Sequence, residues 1–195
     1  MGMRSQIYIR YKNKKGTQLI ARYFQWNYGE NMVSRARSII EWLTYMHEYR
    51  DWLFDNERKM LELERVCDVN FDMRSISLST DIVREVVEQK FDESCGLNNA
   101  IFGQDNNNGQ LLIDATSVTI KYAFIPYFLE PEKIMDAYGY MDWDLPIGWR
   151  DNQYFAEYTN RNIQYIAEHA ELMTEEDVRN FLGDDYEIAA YGAPF

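Results

Sequence analysis

The sequence predicts an α+β fold, with an antiparallel or mixed sheet built from two hairpins and helices packed on one face of that sheet. Residues 4–11, RSQIYIRY, alternate between two faces in the way that a half-buried strand does. Segments with helical spacing of apolar residues separate the predicted strands. Because strands and helices do not alternate regularly, a doubly wound parallel sheet is disfavoured.

The first hairpin is predicted from two apolar segments on either side of a polar turn. Residues 4–11 form the first strand and residues 18–25, QLIARYFQ, form the returning strand. The turn between them, KNKKG, ends in Gly16, which tolerates a positive φ.

Two helices are predicted after this hairpin. Apolar residues at helical spacing indicate a long helix at 31–54, which Asn31 or Ser34 can cap. A second helix is expected to run from Asp55 or Asn56 to about Val66.

The middle of the chain has a less regular pattern. Apolar residues change register within 69–78, which is typical of a strand with a bulge or of a loop. Ser79 or Thr80 is then expected to cap a helix at 81–91.

A second hairpin is expected around an Asn- and Gly-rich turn. Residues 105–109, DNNNG, are typical of such a turn and separate predicted strands at 100–102 and 110–114. A third strand is expected at 118–128.

The last third of the chain is predicted to be mainly helical. The Thr174 to Asp177 segment resembles a capping box with Asp in place of Glu, and it opens a short helix that ends at Gly183. The other expected elements are a helix at 130–138, an ordered loop at 139–150, a helix at 152–170 and, at 186–191, either a strand or a frayed tail.

The length of 195 residues is that of one domain, expected to span 1–195. The N-terminus lacks the apolar segment of a signal peptide, and no apolar run reaches membrane-spanning length. Cys67 and Cys95 are far apart, as two free thiols of a reducing compartment are. We therefore expect a cytoplasmic protein without a membrane partner.

The net charge of −12 is unevenly distributed along the chain. Residues 1–60 hold 11 Lys and Arg against 6 Asp and Glu, a net of +5, whereas residues 61–195 hold 9 against 26, a net of −17. The acidic part should repel nucleic acid and attract basic protein surfaces. A general solubility role for the charge is the alternative.

Several catalytic and metal-binding patterns fail at specific positions. If Gly109 is placed at position 6 of a calcium loop, Gln104 and Ala115 occupy positions where carboxylates are needed. His47 begins a metalloprotease-like pattern, but position 51 is Asp. We therefore predict no cofactor, no bound metal and no catalytic residue.

Two alternatives remain open. Asp136, Asp142 and Asp144 could hold Mg²⁺ in a metal-dependent nuclease. Asp142 and Asp144 are two residues apart, so on an extended segment their side chains would point to the same side. The basic N-terminal hairpin could bind single-stranded nucleic acid directly through interleaved cations and aromatic rings. The residues of that hairpin are Arg4, Arg10, Lys12, Lys14, Lys15 and Arg22 with Tyr8, Tyr23 and Phe24.

The segments MRSQIYIRY, ARYFQWNYGE and NNGQLLIDATSVTIKYAF resemble small acidic proteins carried by phages, plasmids and integrated elements of Gram-positive bacteria. The resemblance covers about a third of the chain and rests on strands and turns, so no functional residue is carried over. Such elements also encode anti-CRISPR proteins, and the chain is similar to several of them in size and charge. The resemblance thus implies an inhibitor of a Cas nuclease or of another protein with a basic nucleic-acid channel.

The function predicted first is therefore a non-enzymatic inhibitor from a mobile element, which binds a nucleic-acid-handling protein through an acidic face. Aromatic residues among carboxylates suit such an interface. The predicted contact residues are Asp142, Trp143, Asp144, Glu175, Glu176, Asp177, Asp184 and Asp185.

Overall fold

The computed structural model describes residues 3–14, 16–49, 59, 69–70, 75–76, 79–81, 107–126 and 133–182. The strands are β1 (Arg4–Asn13), β2 (Gly16–Gln25), β3 (Val69–Asn70), β4 (Ser75–Ile76), β5 (Ser79–Asp81), β6 (Gln110–Ala115), β7 (Lys121–Ile125) and β8 (Glu171–Leu172). The helices are α1 (Glu30–Tyr49), α2 (Ala137–Asp144), α3 (Gln153–His169) and α4 (Glu175–Leu182).

Six of these strands form one mixed sheet in the order β5-β2-β1-β6-β7-β8. The β1–β2, β2–β5 and β6–β7 pairs are antiparallel, whereas β1–β6 and β7–β8 are parallel. The predicted α+β class with a mixed sheet is confirmed.

The N-terminal hairpin is confirmed and is longer than predicted. β1 and β2 pair from Arg4 opposite Gln25 to Asn13 opposite Gly16. Gly16 has a φ of 103°, which is the positive value expected for the turn glycine.

The second hairpin uses a different pair of strands from the one predicted. β6 pairs with β7, with Gln110 opposite Ile125. The turn that the sequence assigned to 105–109 leads instead into the parallel pairing of β6 with β1. The predicted strand at 100–102 lies outside the described residues.

Helices contact both faces of the sheet, so the prediction that they lie on one face needs correction. Ile7 and Ile9 of β1 belong to a core that α1, α2 and α3 complete. Tyr8, which points the other way, belongs to a second core with Val178 and Phe181 of α4. Because side chains alternate along a strand, β1 contributes to both cores.

The observed helices also correct two local predictions. α2 occupies 137–144, with Asp136 as its N-cap, whereas the sequence indicated a helix that ends at 138 and an ordered loop from 139. Ser79 and Thr80 lie in β5, opposite β2, instead of capping a helix.

The helix predicted at 152–170 is confirmed as α3, with Asn152 as its N-cap. The capping box before α4 is also confirmed. The Thr174 hydroxyl accepts from the Asp177 N–H, and the Asp177 carboxylate accepts from the Thr174 N–H and hydroxyl. Lys59 is helical, as predicted for the second helix, but the rest of that helix lies outside the described part of the chain. The 82–91 part of the third helix, both cysteines and residues 183–195 also lie outside it.

Candidate protein-binding site

The predicted contact residues fall on two helices on opposite sides of the sheet. Asp142, Trp143 and Asp144 lie on α2, which packs against the α1 core. Glu175, Glu176 and Asp177 form the first turn of α4, which packs against the second core. Asp184 and Asp185 lie outside the described residues. The described members therefore do not form a single acidic face.

Asp144 is mainly an internal hydrogen-bond acceptor and not a surface contact residue. Its carboxylate accepts hydrogen bonds from the Gly29 N–H at 2.5 Å, the Asn108 side-chain amide at 2.8 Å and the Tyr140 hydroxyl at 3.3 Å. Burial raises the pKa of Asp144, although these donors favour the ionised form. This carboxylate connects α1, the turn before β6, and α2.

The two neighbours of Asp144 in the predicted set are also committed to internal contacts. Asp142 accepts from the Trp149 indole N–H at 3.0 Å and forms an ion pair with Arg150. The Trp143 ring is half-buried and lies 5.9 Å from the Tyr140 ring. The α2 part of the predicted site therefore mainly stabilises the corner between α2 and α3.

The α4 part of the predicted site is more exposed. Asp177 pairs with Lys121 of β7 at 2.6 Å, and the hydrogen bond from Lys121 lowers the Asp177 pKa. Glu175 forms an ion pair with Arg179, one helical turn later. Glu176 is exposed. This turn therefore presents carboxylates to solvent beside the edge of the sheet.

A wider acidic surface surrounds this turn, which sequence reasoning missed in part. We define the acidic edge as Val118, Glu168, Glu171, Leu172, Glu175 and Glu176, all of which are exposed. Residues 168–177, EHAELMTEED, contain five carboxylates and neither Lys nor Arg. That local run was readable in the sequence, but the proximity of Val118 follows only from the pairing of β7 with β8.

A cleft of about 420 Å³ opens at the acidic edge. Thr44 of α1, residues 118–120 before β7, and residues 167–171 from the end of α3 into β8 line it. The walls combine aliphatic side chains with carboxylates. Concave sites of this mixed kind are the usual places for ligands and for anchoring side chains.

Two polar groups in the cleft lining have defined surroundings. His169 stacks on Tyr165 with ring centroids 3.9 Å apart, and its Nδ1 lies 2.9 Å from the Tyr165 carbonyl oxygen. Because a carbonyl only accepts, Nδ1 carries the hydrogen and Nε2 is the acceptor in the neutral ring. The Thr44 hydroxyl is buried and has no hydrogen-bond partner in the described part of the chain.

A second exposed surface lies around the start of α3. Tyr138, Ile147 and Tyr154 are 44%, 90% and 85% exposed. Arg150 lies 5.0 Å from the Tyr138 ring centroid and 4.4 Å from that of Trp149. This surface includes a cation, Arg150, whereas the acidic edge contains none.

Direct binding of nucleic acid by the hairpin is disfavoured, because two of the three aromatic rings predicted to stack on bases are buried. Tyr8 and Phe24 are 0% exposed and lie in the two cores, so neither ring can contact a base. Lys12 and Lys14 are exposed, whereas Lys15 lies outside the described residues.

The basic hairpin also meets the acidic part of the chain. Arg10 donates to the Phe181 carbonyl at 2.7 Å, and its guanidinium lies 5.0 Å from the Phe181 ring centroid. Burial lowers the pKa of Arg10, while the nearby charge of Asp114 raises it. This cation is therefore held inside the fold at the end of α4.

The nuclease alternative is not supported by the positions of its three carboxylates. Asp136 caps α2 by accepting from the Gly139 N–H at 2.7 Å. Asp142 and Asp144 lie on a helix instead of an extended segment, so their directions differ by about 200°. Among the residues described, no group of three or more His, Cys, Asp or Glu has an arrangement that could hold a metal ion.

Comparison of the chain with protein-family models, curated proteins and solved structures gives no match. Over the ranges that the structure describes, no helix is both long and apolar enough to cross a membrane.

Proposed function

We propose that the chain is a protein-binding inhibitor whose acidic edge occupies a basic surface of its partner. The observation that carries this proposal is a cleft lined by Val118, Glu168 and Glu171. The exposed residues Leu172, Glu175 and Glu176 follow directly along the chain. Apolar contacts within a charged rim are the usual anatomy of protein interfaces.

The proposed partner is a protein that binds or cleaves nucleic acid. The resemblance to mobile-element proteins suggests a Cas nuclease as that partner. A basic channel attracts this carboxylate excess as it attracts phosphates, and electrostatic attraction accelerates association. Binding there would exclude the nucleic acid and so inhibit the partner.

The experiment is affinity capture from a lysate of a Gram-positive host, followed by identification of the captured protein and measurement of its association rate. The test variant is E175Q/E176Q on the acidic edge. The control is D151N/E157Q, which removes two exposed carboxylates from the turn before α3 and from α3 itself.

We expect the captured protein to bind nucleic acid. Excess DNA or RNA should displace the captured protein from this chain. The test variant should associate several-fold more slowly at low salt, and the control should not. Capture of a protein indifferent to nucleic acid, or equal rates for both variants, would overturn the proposal.

A further inference from the structure

The cleft at the acidic edge has the shape and charge of a pocket for one basic side chain. Its aliphatic lining comes from Val118, Ile120, Ala167 and Ala170. The methylene groups of a lysine or arginine side chain pack on such apolar surfaces, while its charged head group contacts water or polar groups.

The charged side chains that line this cleft are carboxylates, and the Lys121 ammonium lies close enough that, besides its hydrogen bond to Asp177, the charge of Glu171 raises its pKa. Glu168 and Glu171 are part of the lining, which includes neither Lys nor Arg among its described residues. The lining also includes the last residues of α3, where the helix dipole places partial negative charge. An anion would be repelled here, and an uncharged apolar group would leave the charge of the carboxylates unneutralised.

The two carboxylates differ in how strongly the fold already uses them. Glu168 accepts from the side-chain amide of Gln164 at 2.8 Å, which leaves its charge unneutralised. Glu171 lies in register with Lys121, but Lys121 forms its ion pair with Asp177 at 2.6 Å. Glu168 is therefore the main electrostatic contact, with Glu171 in support.

The inner wall of the cleft supplies polar contacts of the matching type. The Thr44 hydroxyl has an oxygen that can accept from an ammonium or guanidinium group. Nε2 of His169 is an acceptor in the tautomer that the Tyr165 carbonyl selects. A cation with several N–H donors matches this set of acceptors.

We infer that the cleft binds an arginine or lysine side chain that projects from the partner protein. This inference rests on the proposed function, because it names the partner group that enters the acidic edge. It differs from that proposal in requiring a specific pocket and not only a favourable surface charge.

The test is a titration of the 195-residue chain, observed through backbone amide chemical shifts. The probes are blocked arginine and blocked lysine, each with an acetyl group and an N-methylamide. Blocked norleucine has a similar aliphatic stem without the charge, and free arginine represents a small-molecule ligand.

We expect saturable shifts at residues 118–120 and 167–171 with blocked arginine or blocked lysine, and none with norleucine. The E168Q/E171Q variant should bind the probe roughly fivefold more weakly, the size expected for exposed charge pairs. The D151N/E157Q variant is the control, since both residues are exposed and lie outside the acidic edge and the cleft lining, and it should bind the probe within about twofold of the unmodified chain.

Equal binding of norleucine, or unchanged binding by E168Q/E171Q, would overturn the inference. Binding of free arginine but of neither blocked residue would also overturn it, because the ligand would then be a small molecule. If E175Q/E176Q loses the captured partner while no probe binds, the proposed function holds and the pocket inference fails.

Discussion

The backbone N–H of Gly29 donates to the Asp144 carboxylate across 115 residues of sequence, with 2.5 Å between nitrogen and Oδ2. This bond joins the residue before α1 to the last residue of α2. Gly29 has a φ of 51°, and a Cβ there would lie 2.4 Å from the Leu145 Cδ1 atom. The contact thus depends on both residues.

Replacement of Asp144 by Ala should lower the free energy of unfolding by about 2–4 kcal/mol, because the Gly29, Asn108 and Tyr140 donors lose their acceptor in a partly buried place. Urea unfolding measures this. The matched change Asp142→Ala removes a half-exposed ion pair and one hydrogen bond from the Trp149 indole N–H, and it should cost about 1 kcal/mol. Equal losses in the two variants would contradict the structural role of Asp144.

The pH dependence of stability should differ in sign between Asp144 and Asp177. The pKa of Asp144 is raised on folding, so the part of its contribution to stability that is linked to protonation is full below the ordinary value of 3.8 and is lost as pH rises through the folded pKa. The pKa of Asp177 is lowered, so its contribution is present above 3.8 and is lost as pH falls through its folded pKa.

The measurement is the unfolding free energy of the unmodified chain, D144N and D177N between about pH 2 and 6. The gap between the unmodified chain and D144N should narrow as pH rises above 3.8. The gap for D177N should narrow as pH falls below 3.8. If the two differences in unfolding free energy changed in the same direction with pH, the opposite pKa shifts of Asp144 and Asp177 would be refuted.

Gly109→Ala should destabilise the protein by about 2 kcal/mol or more. Its φ is 84°, and a Cβ would lie 2.7 Å from the Ile125 carbonyl oxygen, which cannot move away without disturbing β7. Gly16→Ala is the control, because its φ is also positive at 103° but no atom lies within 4 Å of the added carbon. We expect only about 1 kcal/mol there, measured by the same unfolding curve.

Phe181→Ala should cost about 3–4 kcal/mol, because this side chain of α4 is 2% exposed in the second core. Tyr154→Ala removes a ring that is 85% exposed and should change stability by less than about 0.5 kcal/mol. A thermal or urea unfolding experiment separates the two. If Phe181→Ala had no effect, the packing of α4 on this face of the sheet would be wrong.

Local patterns were sufficient for several elements because their stabilising contacts are close in sequence. The β1–β2 hairpin follows from alternation around a glycine turn, and α3 follows from helical spacing after Asn152. The capping box at Thr174 closes within four residues. No neighbouring segment is needed to select these structures.

The candidate site was only partly predictable for the opposite reason. The Glu175 to Asp177 turn was named from its charge, whereas Glu168, Glu171 and Val118 were missed. Their grouping depends on the parallel pairing of β7 with β8, which registers Lys121 with Glu171. Parallel neighbours are joined by long connections, so no short sequence pattern specifies them.

By itself, the sequence determined the fold class, the first hairpin, the start of α4 and the unequal distribution of charge. Only the tertiary structure decided that α4 covers the second face of the sheet and that Asp144 is an internal acceptor. It also decided that the carboxylates divide between opposite sides of the sheet. Burial and charge proximity depend on contacts between distant segments, and a sequence pattern registers only the contacts formed within its own segment.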